Sequence, residues 1–297
     1  MAVSSLTLSV IVLALSEQLA ITSSILCVKS LLLLDLQEAR SGASPAVANI
    51  LNSIAGAYID GGRAGEVEPI LQRAIAIWQS TRNANPVDVS RPLTNLAVAY
   101  GLAGRYAEAG PLYRQAIDLK LRALGPEHPD LIAPLNGQGD AYAATGRAGD
   151  AIVTLKYSLS ISERIVGANH PTAIPVLTTL VSAYSAAGDT ANAEDTFQRL
   201  LVIQKNTLGQ GHASLSLTLG NLAVVNANTG RLAEAITLSR DAVTIASANI
   251  RNGRLQAAFK ARTLFETHLR LLDQARRQSQ PSFDAAQSRG VASRDFG

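Results

Sequence analysis

Residues 93–129 read LTNLAVAYGLAGRYAEAGPLYRQAIDLKLRALGPEHP, and this stretch contains most of one unit of an internal repeat. Two of its residues recur every 42 positions, a glycine and a tyrosine: Gly62, Gly104, Gly146, Gly188 and Gly230, with Tyr58, Tyr100, Tyr142 and Tyr184. A fixed period of this length indicates a solenoid, in which each unit packs only on its neighbours. We therefore expect one elongated domain of about five units.

Each unit has the pattern of a helical hairpin. In the quoted stretch, apolar residues lie 3 or 4 apart, as on one face of a helix: Leu93, Leu96, Ala97 and Tyr100. Gly104 then ends this helix, because glycine adopts the left-handed conformation of a helix C-terminus without a steric penalty. A second apolar stripe follows, formed by Ala109, Leu112, Tyr113, Ala116 and Ile117. The fold class predicted is all-α.

A short loop joins consecutive hairpins, visible as GPEHP at 125–129 and as GANHP at 167–171. Its proline suits the first turn of the following helix, where a backbone N–H is not needed. His128, His170 and His212 fall in successive loops. Stacked helices lie about 8–10 Å apart, whereas zinc ligands all lie about 2 Å from one ion. We therefore interpret these histidines as linker residues and predict no metal site.

The repeat resembles the tetratricopeptide repeat, specifically the 42-residue form found in kinesin light chains. The resemblance rests on the Gly-x-x-His-Pro linker and on two runs, Asn95-Leu96-Ala97-x-x-Tyr100 and Gly104-Arg105-Tyr106-x-Glu108-Ala109-x-Pro111-Leu112-Tyr113-x-x-Ala116. It covers residues 44–251 and implies a right-handed superhelical solenoid of about five hairpins. In the fifth unit Asn226 occupies the tyrosine position and Ser239 the position of Tyr113, so we expect the fifth hairpin to be the loosest.

The repeats also define the remaining segments. We place the solenoid at 43–252, after an apolar N-terminal segment at 1–42. Residues 253–277 carry apolar residues mostly 3 or 4 apart among arginines, which predicts a single C-terminal capping helix. Residues 278–297 contain too few apolar residues to form a core, so we predict a disordered tail.

The apolar N-terminal segment has two interpretations. Residues 2–16 resemble a secretory signal, with small residues at Ala14 and Ser16, but no Lys or Arg precedes Lys29. Alternatively, residues 4–40 form a degenerate hairpin that caps the first unit. We slightly favour an exported or membrane-tethered protein over a cytoplasmic one.

The resemblance also implies a binding surface, because in this family the first helix of each hairpin lines a concave groove that takes up peptides. Carried over by position, the partner-binding residues would be Asn52, Arg91, Thr94, Asn95, Asn136, Asp140, Thr178, Ser182, Asn221 and Asn228. An asparagine amide both donates and accepts hydrogen bonds, so it can pair with any peptide backbone. The alternative is that these asparagines bond within the stack. Arg91 alone does not supply the paired cations with which some family members hold a C-terminal carboxylate.

No sequence pattern indicates catalysis. Cys27 is the sole cysteine, and Gly61-Gly62 lies between two helices rather than between the strand and helix of a phosphate loop. We predict a non-catalytic scaffold without a cofactor, which binds a protein or peptide in the groove. An envelope- or membrane-associated assembly factor tethered by its N-terminus is the alternative. Nucleic-acid binding is not expected, although residues 253–297 carry eight Lys or Arg against four acids.

Overall fold

The computed structural model describes residues 42–251 and 255–279, with side chains described at 42–251 and 262–278. Residues 1–41 of the predicted N-terminal segment and residues 280–297 of the predicted tail lie outside the described residues, so both interpretations of the N-terminus and the disorder of the tail stay predictions. Every regular element in the described ranges is helical. None of the helices described there is both long enough and apolar enough to cross a membrane.

The helices follow the predicted alternation of first and second helix in each hairpin. Their bounds are α1 Pro45–Asp60, α2 Glu68–Ser80, α3 Pro86–Leu102, α4 Tyr106–Leu124, α5 Ile132–Ala144, α6 Ala148–Val166, α7 Ala173–Ala186, α8 Thr190–Leu208, α9 Ala213–Asn228, α10 Leu232–Arg251 and α11 Leu255–Ser279. Short 3₁₀ turns, Ala64–Glu66 and Pro129–Leu131, precede α2 and α5. The all-α prediction and the five hairpins are confirmed, and α11 is the helix expected after the fifth.

The chain divides into two compact units, the first ending at Ile165 and the second beginning at Val166. In the first unit, α2 packs on α3 and α4 packs on α5, while the first helices α1, α3 and α5 contact one another in order. In the second unit, α8 packs on α9, and α11 covers both α9 and α10. Within each unit, a hairpin therefore buries its apolar face on its neighbour, as the repeat requires.

The turn between the two helices of a hairpin has one geometry throughout. The five glycines of the repeat have φ between 73° and 82°, a region that side chains with a Cβ rarely adopt. The residue after each glycine donates its backbone N–H to the carbonyl at the tyrosine position, as Arg105 does to Tyr100 over 2.8 Å. This 6→1 bond is the Schellman motif, and it confirms that Gly104 ends the first helix.

Close helix crossings are occupied by small residues. The position that begins the apolar stripe of the second helix is at most 1% exposed in all five hairpins, and it holds Val67, Ala109, Ala151, Ala193 and Ala235. At Gly137 even a methyl group is excluded, because an added Cβ would lie 2.2 Å from Cζ of Tyr113. Small side chains thus set the spacing between hairpins.

The capping helix fills positions that the fifth hairpin leaves open. Leu264 of α11 packs over Gly220 and belongs to the core of the second unit. His268 forms a 2.7 Å hydrogen bond through Nδ1 with the hydroxyl of Ser239, which is buried at the position of Tyr113. The two fifth-unit departures from the pattern, Asn226 and Ser239, are both buried and hydrogen-bonded. That the fifth hairpin is the loosest stays a prediction.

The linker histidines have a local structural role. The Nδ1 atoms of His128, His170 and His212 accept a hydrogen bond from the backbone N–H two residues later, at 3.2, 3.3 and 3.2 Å. His128 and His212 therefore cap the start of the next helical segment as N-cap side chains, whereas His170 makes the same bond in the turn before α7. Within the described residues, no group of three or more His, Cys, Asp or Glu is placed to hold a metal ion.

Candidate partner-binding surface

All ten predicted partner-binding residues lie on the first helices of the hairpins. We call this set the first-helix wall: Asn52 on α1; Arg91, Thr94 and Asn95 on α3; Asn136 and Asp140 on α5; Thr178 and Ser182 on α7; Asn221 and Asn228 on α9. Residues one repeat apart occupy equivalent helical positions, so the wall recurs on each first helix. The structure nevertheless gives its members different surroundings in the two units.

The asparagines of the first unit are engaged within the stack. Asn95 donates from Nδ2 to Oδ1 of Asn52 over 2.9 Å, which joins α3 to α1. Oδ1 of Asn136 accepts a 2.6 Å hydrogen bond from the hydroxyl of Ser158 on α6. All three asparagines are half-buried. Each therefore uses part of its amide to hold neighbouring helices, as the alternative interpretation of these residues anticipated, although through side chains rather than the backbone.

Of the other residues of the first-unit wall, Arg91 and Asp140 are exposed and Thr94 is half-buried. Arg91 is exposed and forms an ion pair with Asp88, its Nη1 lying 3.1 Å from Oδ1. Thr94 donates from its hydroxyl to the carbonyl of Ser90 within α3 over 2.8 Å. Asp140 is exposed on α5. Arg91 is thus already neutralised by its own helix, which weakens it further as a holder of a partner carboxylate.

In the second unit the wall is open. Asn221 and Asn228 are exposed on α9, and Val224, 41% exposed, lies between them. Residues spaced 3, 4 and 7 apart share one face of a helix, so these three form a continuous polar–apolar–polar strip. On α7, the hydroxyls of Thr178 and Ser182 are exposed and bond only back to their own helix, to the carbonyls of Ile174 and Thr178.

Sequence reasoning missed a second set of polar contacts, which joins the second helices of successive hairpins. Arg105 donates from Nη1 to Oε2 of Glu68 over 2.8 Å, and the hydroxyl of Tyr100 donates to Oε1 of the same carboxylate over 2.7 Å. The guanidinium carbon of Arg105 lies 4.0 Å from the ring centroid of Tyr100. A spacing of 37 residues between acid and arginine was the available signal, since Glu194 and Arg231 repeat it.

These contacts shift the pKa values of the carboxylates and of the tyrosine hydroxyl. The hydrogen bonds from Arg105 and then Tyr100 hold the pKa of Glu68 below its usual value. Arg231 lowers the pKa of Glu194 in the same way. Conversely, donating to a carboxylate raises the pKa of the Tyr100 hydroxyl, because its ionised form would face a like charge. Both carboxylates are therefore ionised acceptors at neutral pH.

The sequence profile of the tetratricopeptide repeat matches residues 46–122, 88–164 and 172–248, which together span about two thirds of the chain. No curated protein sequence is significantly similar to this chain.

Solved structures that are similar to the chain include the following three. BtubC (BKLC) from P. vanneervenii is 20% identical, with a TM-score of 0.63, over 78% of this chain and 91% of that one. A putative kinesin light chain of Podosopora anserina with nearly identical TPR-like repeats is 25% identical, with a TM-score of 0.59, over 69% and 97%. YrrB, a TPR protein with an unusual peptide-binding site, is 14% identical, with a TM-score of 0.51, over 71% and 91%.

Proposed function

Because the chain belongs to the tetratricopeptide repeat family, whose fold serves as a scaffold for protein–protein interactions, we propose that it binds a peptide or helical segment of a partner along the first-helix wall. The observation that carries this proposal is the exposed strip on α9, formed by Asn221, Val224 and Asn228. The two amides can pair with the backbone of a partner while Val224 contacts an apolar side chain. YrrB is an example of this fold with a peptide-binding site.

The charge of the wall limits the partner. Its ten residues include one cation, Arg91, and one carboxylate, Asp140, and Arg91 is paired with Asp88. A surface of this kind offers hydrogen bonds without a net field, so it favours neutral, polar segments over strongly charged ones. A C-terminal carboxylate would find no paired cations on this wall.

A non-catalytic role is part of the proposal. The ionisable clusters described above are carboxylate–guanidinium pairs between helices, and an ion pair with both groups engaged supplies no proton acceptor poised near neutral pH. The linker histidines each accept a hydrogen bond from the backbone. The groups that could act in catalysis are thus engaged in holding the repeats together.

The experiment is affinity capture of the full chain, tagged at its C-terminus, from its native cells. We expect the double variant Asn221→Ala/Asn228→Ala to lose wild-type partners, with affinity for a purified partner falling roughly tenfold as two hydrogen bonds are removed. Thr244→Ala is the matched control, since Thr244 is exposed on α10, a second helix. An unchanged partner list for a folded double variant would exclude the α9 strip as the binding surface.

The alternative proposal, an assembly factor tethered to a membrane, depends on the apolar residues 1–42. It predicts that the chain sediments with membranes, or that its N-terminus begins near Glu17 after cleavage. Cell fractionation followed by N-terminal sequencing decides between the two, because an intact Met1 in the soluble fraction contradicts tethering. The first-helix wall can bind a partner in either location.

A further inference from the structure

A cavity of about 550 Å³ opens in the second unit between α8, α9 and α10. It lies outside the first-helix wall, and the residues that define it are Glu194, Gln198, Leu222, Asn226, Glu234 and Leu238. Leu222 and Asn226 are buried and form its floor on α9, whereas the carboxylates lie on the two second helices. The cavity therefore combines apolar and neutral polar side chains with two carboxylates.

The same walls occur three repeats earlier, 126 residues before, around Tyr100. Of the eight residues that line the cavity, six are identical to their counterparts in the first unit, including Glu194 to Glu68 and Leu222 to Leu96. The two that differ are Asn226, which replaces Tyr100, and Thr237, which replaces Pro111. Among the lining positions the aromatic ring is therefore the main difference, while in the core behind them Phe197 takes the place of Leu71.

In the first unit that ring is a structural element. Tyr100 is 8% exposed and packs in a cluster with Leu71, Leu96 and Leu112. Its hydroxyl donates to Glu68, and the guanidinium of Arg105 lies over its face. The ring thus has an apolar floor, a cation on one face and a carboxylate at its hydroxyl.

In the second unit the partners of the ring are kept without it. Arg231 donates from Nη1 to Oε1 of Glu194 over 2.8 Å and from Nη2 to Oε2. Arg105, by contrast, gives Glu68 one bond, to Oε2, and leaves Oε1 to the hydroxyl of Tyr100. The amide of Asn226 donates to Glu234 over 3.1 Å and accepts from Arg231 over 3.3 Å. Asparagine is far shorter than tyrosine, so it satisfies the polar groups near the backbone and leaves the space of the ring empty.

We propose that this cavity binds the tyrosine side chain of a partner protein, in the orientation that Tyr100 has in the first unit. The phenol hydroxyl donates to Glu194, the ring packs on Leu222 and Leu238, and Arg231 covers its face. This site is separate from the first-helix wall, since none of the residues that line it belongs to that set.

The charge of the cavity selects against anionic side chains. Two carboxylates, Glu194 and Glu234, are balanced by the single guanidinium of Arg231. A phenol can donate to a carboxylate, whereas phenylalanine leaves the carboxylate without that bond. A phosphotyrosine brings about two further negative charges to the same place, so phosphorylation of the partner would block binding.

The test is an NMR titration of the full chain with N-acetyl-tyrosinamide, N-acetyl-phenylalaninamide and phosphorylated N-acetyl-tyrosinamide. We expect the tyrosine compound to bind roughly tenfold more tightly than the phenylalanine compound, because a hydrogen bond to a charged group is lost in the latter. The phosphorylated compound should not bind. Absence of tyrosine binding, or equal binding of all three, would overturn the proposal.

Two matched variants locate the site. Asn226→Tyr should fill the cavity from within and abolish binding, whereas Tyr100→Asn should open the equivalent cavity in the first unit and add a second, equal site. Glu194→Gln should remove the preference for tyrosine over phenylalanine, and Glu68→Gln should leave it unchanged. Binding that persists in Asn226→Tyr would overturn the assignment, and this variant is expected to be at least as stable as the wild type.

A further titration with p-cresol, the free phenol that corresponds to the tyrosine side chain, distinguishes a tyrosine of a protein from a small phenol as the ligand. Binding of both p-cresol and N-acetyl-tyrosinamide supports a tyrosine presented by a protein. Binding of p-cresol alone would mean that the cavity takes a free small phenol, and would overturn the proposed protein partner.

Discussion

The junction of α2, α3 and α4 and the junction of α8, α9 and α10 are built from nearly the same residues but are filled differently. In the first, the carboxylate of Glu68 holds the hydroxyl of Tyr100 and the guanidinium of Arg105. In the second, both oxygens of Glu194 accept from Arg231, and a cavity opens beside Asn226, which stands at the position of the tyrosine. The difference shows that a carboxylate–guanidinium pair can join two hairpins without the tyrosine ring.

The wall of the first helices shows a parallel contrast. In the first unit, the asparagines form hydrogen bonds between helices, namely Asn52–Asn95 and Ser158–Asn136. The second unit exposes Asn221 and Asn228. In both comparisons, a group that stabilises the first unit is matched in the second by a surface that a partner can reach, the exposed asparagines in one case and the cavity beside Asn226 in the other. We infer that the first unit is the more structural of the two.

The largest expected effect is that of Tyr100→Asn, which copies the second junction into the first. Removing a buried aromatic ring leaves a cavity, and such truncations cost about 3–5 kcal/mol of the free energy of unfolding. Urea unfolding followed by circular dichroism measures this loss. Tyr100→Phe is the matched control and should cost much less, because it keeps the ring and loses one hydrogen bond, from the hydroxyl to Glu68. Equal losses for both variants would mean that the ring does not matter.

The converse variant, Asn226→Tyr, should stabilise the second unit by about 1–2 kcal/mol, since it buries an aromatic ring on walls that already fit one. Differential scanning calorimetry should detect a rise in Tm of a few degrees, or about 2–4 °C per kcal/mol. Asn226→Leu is the control, because it adds apolar volume without a phenol hydroxyl. A fall in Tm for the tyrosine variant would contradict the equivalence of the two junctions.

A smaller effect is expected when the shared carboxylates are neutralised. Glu68→Gln removes the charge and one of the two oxygens that accept from Tyr100 and Arg105. Glu194→Gln does the same to the acceptor of Arg231. Since these pairs are partly exposed and screened by solvent, both changes should be modest. In a paired urea-unfolding measurement, the loss of unfolding free energy should be larger for Glu68→Gln than for Glu194→Gln. The reverse order would show that the phenol hydrogen bond contributes nothing.

The smallest effect concerns pH. Because the folded pKa values of Glu68 and Glu194 lie below the ordinary carboxyl value of 4.5, the unfolded chain binds more protons near that pH. Their contribution to stability is present above pH 4.5 and is lost as the pH falls through the folded values. Thermal unfolding between neutral and acidic pH should show this loss for the wild type. In the double variant Glu68→Gln/Glu194→Gln, Tm should fall less steeply towards acidic pH. An equally steep fall would contradict the claim that these two carboxylates contribute to the loss of stability in acid.

The fold could be predicted from the sequence because its determinants are local and repeated. The glycine after each first helix requires a positive φ, and its 42-residue recurrence locates every hairpin turn. The apolar spacing of residues 253–277 likewise predicted a helix after the fifth hairpin, and α11 lies there. Division of the chain into two units was not foreseen, since the period continues across the boundary without interruption.

The candidate site could be predicted only in outline. Helical position places a residue on the first-helix wall, but it does not show that Asn95 reaches Asn52, because that contact depends on side-chain orientation across two helices. The cavity was also missed. The repeat pattern alone shows Asn226 only as a departure from the tyrosine position. The cavity beside it becomes evident once Glu194, Leu222 and Leu238 are seen to occupy the positions that surround Tyr100 in the first unit.

The most direct measurement is a crystal structure of the Asn226→Tyr variant. The account predicts that the new ring lies in the cavity, with its hydroxyl within hydrogen-bond distance of Glu194 and its face under Arg231 at about the 4.0 Å seen for Arg105 over Tyr100. A ring that turns into solvent, or that enters only after α8 and α10 move apart, would contradict the claim that the second junction is the first one with its tyrosine removed.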